Sequence, residues 1–322
     1  MRKLTIRLAA VAFSVFMTVQ SVSAAQFLIP VGQLIGLELS EDRVTVAGFD
    51  SSLGDIARAA GLEEGDRITK IDDHEIRCAE DVRRALQVSD GDVDICVIRG
   101  NAVKEVEMEP AITPEGPKLG IFLRQGITGV GTVTYYDPDS GMFGALGHGV
   151  NDKEGALVTM TEGFAYAATV DTVKKGKVGD PGQLMGSVTS PQPIAALSGN
   201  TTQGVFGKVQ VPFSGDALPA AAVSEIKPGP AMIRSTIQNG TVREYSVEIL
   251  KIYPNSGADG RNLLLRVTDQ RLLDTTGGIV QGMSGSPIIQ DGKLVGAVTH
   301  VLVNDPTRGY GIFIENMLEA AG

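Results

Sequence analysis

A mainly β chain is what the sequence predicts, with two antiparallel barrels behind a smaller unit of strands and helix. Three observations support that reading. Short runs rich in Val, Ile and Thr recur at 131–136, 156–161, 167–173, 204–211, 245–253, 262–268, 288–303 and 310–314, and such residues fit a pleated, half-buried surface. Forty glycines and fifteen prolines, with no tryptophan, supply tight turns between strands. Helical spacing is confined to Val82, Ala85 and Leu86 within 79–88 and to a short C-terminal run at Met317-Leu318-Glu319.

The N-terminus, residues 1–25, reads as a secretory signal. Met1-Arg2-Lys3 is basic, an apolar stretch runs from Leu8 to Val19 broken by Ser14 and Thr18, and Val22-Ser23-Ala24-Ala25 offers small residues for cleavage. The stretch is shorter than the roughly 20 residues that span a bilayer, which favours a cleaved peptide over an uncleaved membrane anchor. Either way the body of the protein is expected to be exported.

Residues 28–110 read as a separate unit. Gln33-Leu34-Ile35-Gly36-Leu37-Glu38-Leu39 is a loop entering a strand, 44–49 a second strand, and Gly61-Leu62-Glu63-Glu64-Gly65-Asp66 a turn feeding a third; the helix and a strand at 93–99 follow. The arrangement resembles a PDZ domain of the protease-associated kind. That resemblance implies a groove in which a peptide C-terminus or internal segment adds a strand beside the helix, with Leu34, Ile35, Gly36 and Leu37 at its carboxylate end. His74 sits in a solvated Asp-Asp-His-Glu turn. Cys78 and Cys96 suit a disulfide or two core thiols equally. Prolines 110, 114 and 117 mark a linker over 111–118, and residues 119–322 form the remaining domain.

In that domain, Gly282-Met283-Ser284-Gly285-Ser286-Pro287 sets a serine among glycines. A nucleophilic hydroxyl needs open approach, and the oxyanion it creates needs N–H groups aimed at it; the N–H groups of Gly282 and Ser284 are the natural donors. Gly144-Ala145-Leu146-Gly147-His148-Gly149 holds one of only three histidines, in a setting that suits an accessible imidazole, which makes His148 the candidate base. His300, sixteen residues after Ser284, is the rival base and better suited to shaping substrate selection. An acid to orient the imidazole is offered by Asp269, at the end of an apolar run fifteen residues before Ser284, or by Asp274; spacing does not choose between them. Ser286 is the alternative nucleophile. Lys293 in an Asp-Gly-Lys turn and the cluster Lys174-Lys175-Gly176-Lys177 read as solvated hairpins.

Gly-Ile-Thr-Gly-Val-Gly-Thr-Val-Thr-Tyr-Tyr at 126–136, leading to the His148 motif, and the stretch 275–318 with Thr299-His300-Val301-Leu302-Val303-Asn304-Asp305-Pro306 together resemble the stage IV sporulation protein B peptidases of endospore-forming bacteria. The resemblance implies a PDZ-like domain followed by a chymotrypsin-like double β-barrel serine protease domain with His148, Asp269 and Ser284 as the triad. It further implies a membrane-associated substrate, the regulator of an intramembrane protease that releases a sporulation sigma factor, with self-cleavage near the N-terminus. The implied address is the space between forespore and mother-cell membranes. Met283 stands where chymotrypsin-like zymogens carry an activating aspartate, so activation by that ion pair is not expected. A non-catalytic PDZ scaffold with a vestigial protease fold is the competing reading. The formal charge of −10 argues against nucleic acid as a partner, and three separated histidines with two cysteines offer no metal cluster and call for no cofactor.

Overall fold

The computed structural model describes residues 26–254 and 260–322; the expected leader at 1–25 lies outside the described residues. The chain begins with β1 (Phe27–Pro30) and β2 (Leu34–Glu41), then departs into a small unit. That unit contains β3 (Val44–Phe49), α1 (Gly54–Ala60), β4 (Arg67–Ile71), β5 (His74–Glu75), α2 (Ala79–Val88), β6 (Val93–Arg99), β7 (Ala102–Met108), β8 (Ala111–Thr113), β9 (Gly116–Lys118) and β10 (Ile121–Arg124). The chain then returns as β11 (Ile127–Tyr136), β12 (Met142–Ala145), β13 (Met160–Lys174), β14 (Gln183–Thr201), β15 (Gly204–Val209) and β16 (Leu218–Pro219). It ends with β17 (Gly229–Gln238), β18 (Thr241–Ile252), β19 (Leu263–Val267), α3 (Gln270–Thr276), β20 (Pro287–Gln290), β21 (Lys293–Leu302), β22 (Asp305–Phe313) and α4 (Ile314–Ala321).

Two six-stranded barrels result. In the first, β2 pairs with β11 from Leu39↔Ile127 to Leu34↔Thr132 and with β13 on its other edge. The ring closes through β12, β15 and β14. The second is the closed barrel β17-β18-β19-β22-β21-β20. Strand β18 shows why the sequence makes such a wall. Tyr245, Val247 and Ile249 are buried while Ser246 and Glu248 between them are not, the period of two that places alternate side chains inside. The expected single run 288–303 is a hairpin, because Asp291 and Gly292 take positive φ and reverse the chain between β20 and β21.

The barrels share apolar packing: Leu34 and Leu184 of the first lie in one cluster with Ile233, Val247, Leu265 and Met283 of the second. This corrects the groove expected at Leu34, Ile35, Gly36 and Leu37. Those residues are a barrel strand paired on both edges, and Leu34 and Ile35 are fully buried, so no peptide can add there.

The small unit carries the sheet β10-β3-β4-β6-β7, with β5 on β4, and its own core of Val44, Ile68, Val82, Leu86 and Ile95. It is an insertion between two paired barrel strands rather than an N-terminal domain ending at 110. The expected linker 111–118 is the β8–β9 hairpin with Pro114 in its turn, and β10 still belongs to the inserted sheet through β3. Buried Asp66 takes both arms of the Arg99 guanidinium at 2.7 and 2.8 Å and an N–H from Glu63. Cys78 and Cys96 are free thiols. Among the described residues no helix is long and apolar enough to cross a membrane.

Candidate active site

His148 is displayed where the first barrel presses on the second. Strand β12 ends at Ala145, and Leu146 and Gly147 then take φ of +68° and +69°, turning the chain out of the sheet. A side chain at Gly147 would meet Ile312 and Thr299 of the second barrel at 2.9 Å, so glycine permits the close approach. Beyond the histidine, the Asn200 amide clamps the loop: its oxygen accepts the Val150 N–H at 2.8 Å, and its nitrogen donates to the carbonyls of Val150 and Val158 at 2.9 and 3.0 Å.

The half-buried His148 ring places Nδ1 2.9 Å from the Gly149 carbonyl. A carbonyl only accepts, so Nδ1 carries the proton and Nε2 keeps its lone pair. Burial pushes the imidazole pKa below its ordinary value, with the Gly149 carbonyl partly opposing. The His300 ring lies beside it, centroids 5.2 Å apart.

Ser284 sits in the loop before β20. Met283 is fully buried and anchors that loop in the core, which accounts for an apolar residue at this position. Gly282 and Gly285 both have φ of +96°. A Cβ on Gly285 would fall 1.9 Å from the Thr132 carbonyl, because the loop is stitched to the first barrel: Thr132 donates its N–H to the Ser284 carbonyl and its hydroxyl to the Gly282 carbonyl, each at 2.9 Å. The Ser284 hydroxyl donates to the Thr299 carbonyl at 2.7 Å. The N–H groups of Gly282 and Ser284 have no acceptor among the described residues. Ser286 is fully buried and bonds Ser235, so it is no nucleophile. Lys293 pairs with Glu225, away from the serine.

His148, Ser284, Gly282, Thr299 and His300 line one cleft of about 570 Å³, and Leu37 also reaches it. Asp269 does not. It caps α3, accepting N–H groups of Arg271 at 3.0 Å, Leu272 at 3.4 Å and Ser246 at 3.3 Å, and it holds the Arg271 guanidinium at 2.7 Å. The guanidinium lowers its pKa to about 2 despite burial. The expected His148–Asp269 hydrogen bond is therefore not formed. Asp274 is exposed and bonded to Gln270. Sequence reasoning missed Asn200 and Thr132, whose side chains fix the histidine and serine loops; both sit in stretches that read as ordinary turn and strand. It also missed β10 as one of the two edge strands of the inserted sheet, the other being β7. Leu119 and Ile121 at the entrance of β10 pack in one core with Val82 and Leu86 of α2, and the helix start donates through Ala79 to Gln125.

Among solved structures, the Rv3671c protease from M. tuberculosis in its active form is 15% identical, with 61% of this chain and 75% of that chain covered at a TM-score of 0.37. The HtrA-type protease AlgW with decapeptide is 14% identical, covering 65% and 57% at 0.37. Among curated proteins no match was found. Residues 53–98 match the PDZ domain family, and residues 115–318, the greater part of the chain, match the family described as SpoIVB peptidase S55. With barrels, inserted unit and serine cleft in place, the chain belongs to the SpoIVB peptidase S55 family of serine proteases.

Proposed function

We propose that the protein is an exported endopeptidase in which Ser284 attacks a peptide carbonyl, His148 Nε2 takes the hydroxyl proton and returns it to the leaving amine, and the N–H groups of Gly282 and Ser284 hold the oxyanion. The observation that carries this reading is the convergence of serine, histidine and two unpaired N–H groups on one cleft. The Gly149 carbonyl supplies the tautomer control that a carboxylate gives elsewhere. The Ser284 hydroxyl donates its proton to the Thr299 carbonyl in a hydrogen bond, so attack requires the hydroxyl to turn towards His148. A fluorophosphonate probe tests this. It should label the protein at Ser284 and leave Ser284→Ala unlabelled; unlabelled wild type, or equal labelling of the variant, would refute it.

One observation favours a non-catalytic scaffold instead: no carboxylate among the described residues bonds His148. The same labelling decides between the two.

The inserted unit would recognise a peptide terminus or internal segment, added as a strand on the β10 edge beside α2, with Leu119, Gly120 and Ile121 at its end. Family membership supports a role in sporulation. There the enzyme, cleaving itself near the N-terminus, would act between forespore and mother-cell membranes on the membrane-associated regulator of an intramembrane protease.

A further inference from the structure

The cleft around Ser284 has a chemical character that selects a substrate. One residue in five of this chain is charged, yet among the described residues lining the cleft there is no Asp, Glu, Lys or Arg. The neighbouring concavity, across the 151–154 loop, is the reverse and includes Glu41, Arg43, Arg67, Arg124, Asp152 and Glu154. The segments adjoining the nucleophile are Ile279 and Val280, just before the Gly282 donor, and Val301 and Val303, just past the Thr299 carbonyl that holds the serine hydroxyl. Leu37 and Val130 close the first-barrel side. A further groove shares Leu37, Gly129, Val130 and Gln183 with the cleft and continues over Met185 and Val188, which are 44% and 48% exposed.

We infer that the enzyme cleaves extended, neutral segments after an aliphatic residue, Val, Leu, Ile or Met. The inference rests on Ser284 being the nucleophile. A substrate side chain entering beside Ser284 leaves water for walls that, among the described residues, offer dispersion contacts and no Asp, Glu, Lys or Arg. An aliphatic group gains by the transfer, while a carboxylate or ammonium loses hydration with nothing to replace it. Among the described lining residues the ionisable side chains are His148 and His300; a cationic imidazole there would instead favour an acidic residue, which makes acidic substrates the informative counter-case.

The full protein is incubated with a peptide library varied at one position, cleavage sites are read by mass spectrometry, and a parallel sample receives the fluorophosphonate probe. Aliphatic residues should exceed Asp, Glu, Lys and Arg by about a hundredfold in kcat/KM. Labelling with cleavage after charged residues, or with no cleavage after aliphatic ones, overturns the inference and leaves the nucleophile standing; absence of both labelling and cleavage overturns the nucleophile with it. Val303→Asp, at a position 48% exposed and so tolerant of charge, and Val301→Asp should each raise cleavage after Lys and Arg about tenfold or more. Labelled variants with unchanged preference would show that this wall does not contact the substrate.

Discussion

At Asp269 the carboxylate does two jobs that the sequence cannot separate from a third. Capping a helix, pairing a guanidinium and orienting an imidazole all call for an aspartate after an apolar strand, and only the fold shows that α3 and Arg271 use it. Asp269→Ala should destabilise the protein by about 1–2 kcal/mol in urea unfolding, with Asn milder because it caps nearly as well; Arg271 is largely exposed, so solvent screens its share. Turnover of folded Asp269→Asn should stay within about threefold of wild type, whereas a loss of about 10⁴ would restore the triad reading. The folded pKa of about 2 lies below the unfolded value, so this stabilisation is present above about pH 4 and lost as pH falls through 2; Asp269→Asn should flatten that limb. His148 is also depressed. A base must be neutral to work, so kcat/KM should hold until pH drops below the ordinary histidine value of about 6.5, and an acid limb above that value would contradict the burial. The placing of Ser284 and His148 on one cleft was legible, because the glycines around each report a backbone requirement that local sequence records.

Among the elements, α2 and the strands β13, β15, β18, β19 and β22 were legible from their residue pattern, while β12, β14 and β17, rich in Gly, Pro, Ser and Gln or very short, were not read, and strand partners were not legible at all. Strand β2 looks the same whether it edges a peptide groove or completes a barrel, since pairing is set by β11 and β13 far along the chain. The β12–β13 connection depends on Asn200, which has no equivalent substitute: it accepts one N–H and donates to two carbonyls. Asn200→Ala should slow kcat about 10–100-fold with KM nearly unchanged, measured alongside the rate of probe labelling, because a loosened Val150 lets His148 drift. Equal labelling rates would show that the clamp serves stability alone. In the inserted sheet, burial pushes the Asp66 pKa up, and Arg99 with the Glu63 N–H pulls it below the ordinary value. Asp66→Ala leaves the Glu63 N–H without its acceptor and Arg99 with only Glu63 and the Gly61 carbonyl, and should cost about 1–3 kcal/mol, opening β4 and β6 to hydrogen exchange while the barrels stay protected.

The molecule as a whole is a double barrel with a PDZ-family unit spliced into one hairpin. Leu39 and Ile127 are direct partners across the splice, so replacing residues 44–124 by a short Gly-Ser turn should leave a folded, probe-reactive protein, whereas deleting 28–110 removes β2 and should abolish folding. The neck is tied to the His148 loop: Arg43 pairs with Glu41 and with Asp152, four residues past His148, and Gln125 spans the Glu41 carbonyl and the Ala79 N–H of α2. An insertion is invisible in a sequence that keeps its strand pattern on both sides of the splice, and the prolines at 110–117 imitate a linker well. What the chain did disclose is the pair of glycine-flanked motifs that the barrel interface joins. The central claim is that His148 activates Ser284 across that interface. Its most direct test is the second-order rate of fluorophosphonate labelling in wild type and His148→Ala at pH 7.5: a fall of about a thousandfold or more with the fold intact is predicted, and equal rates would contradict the account.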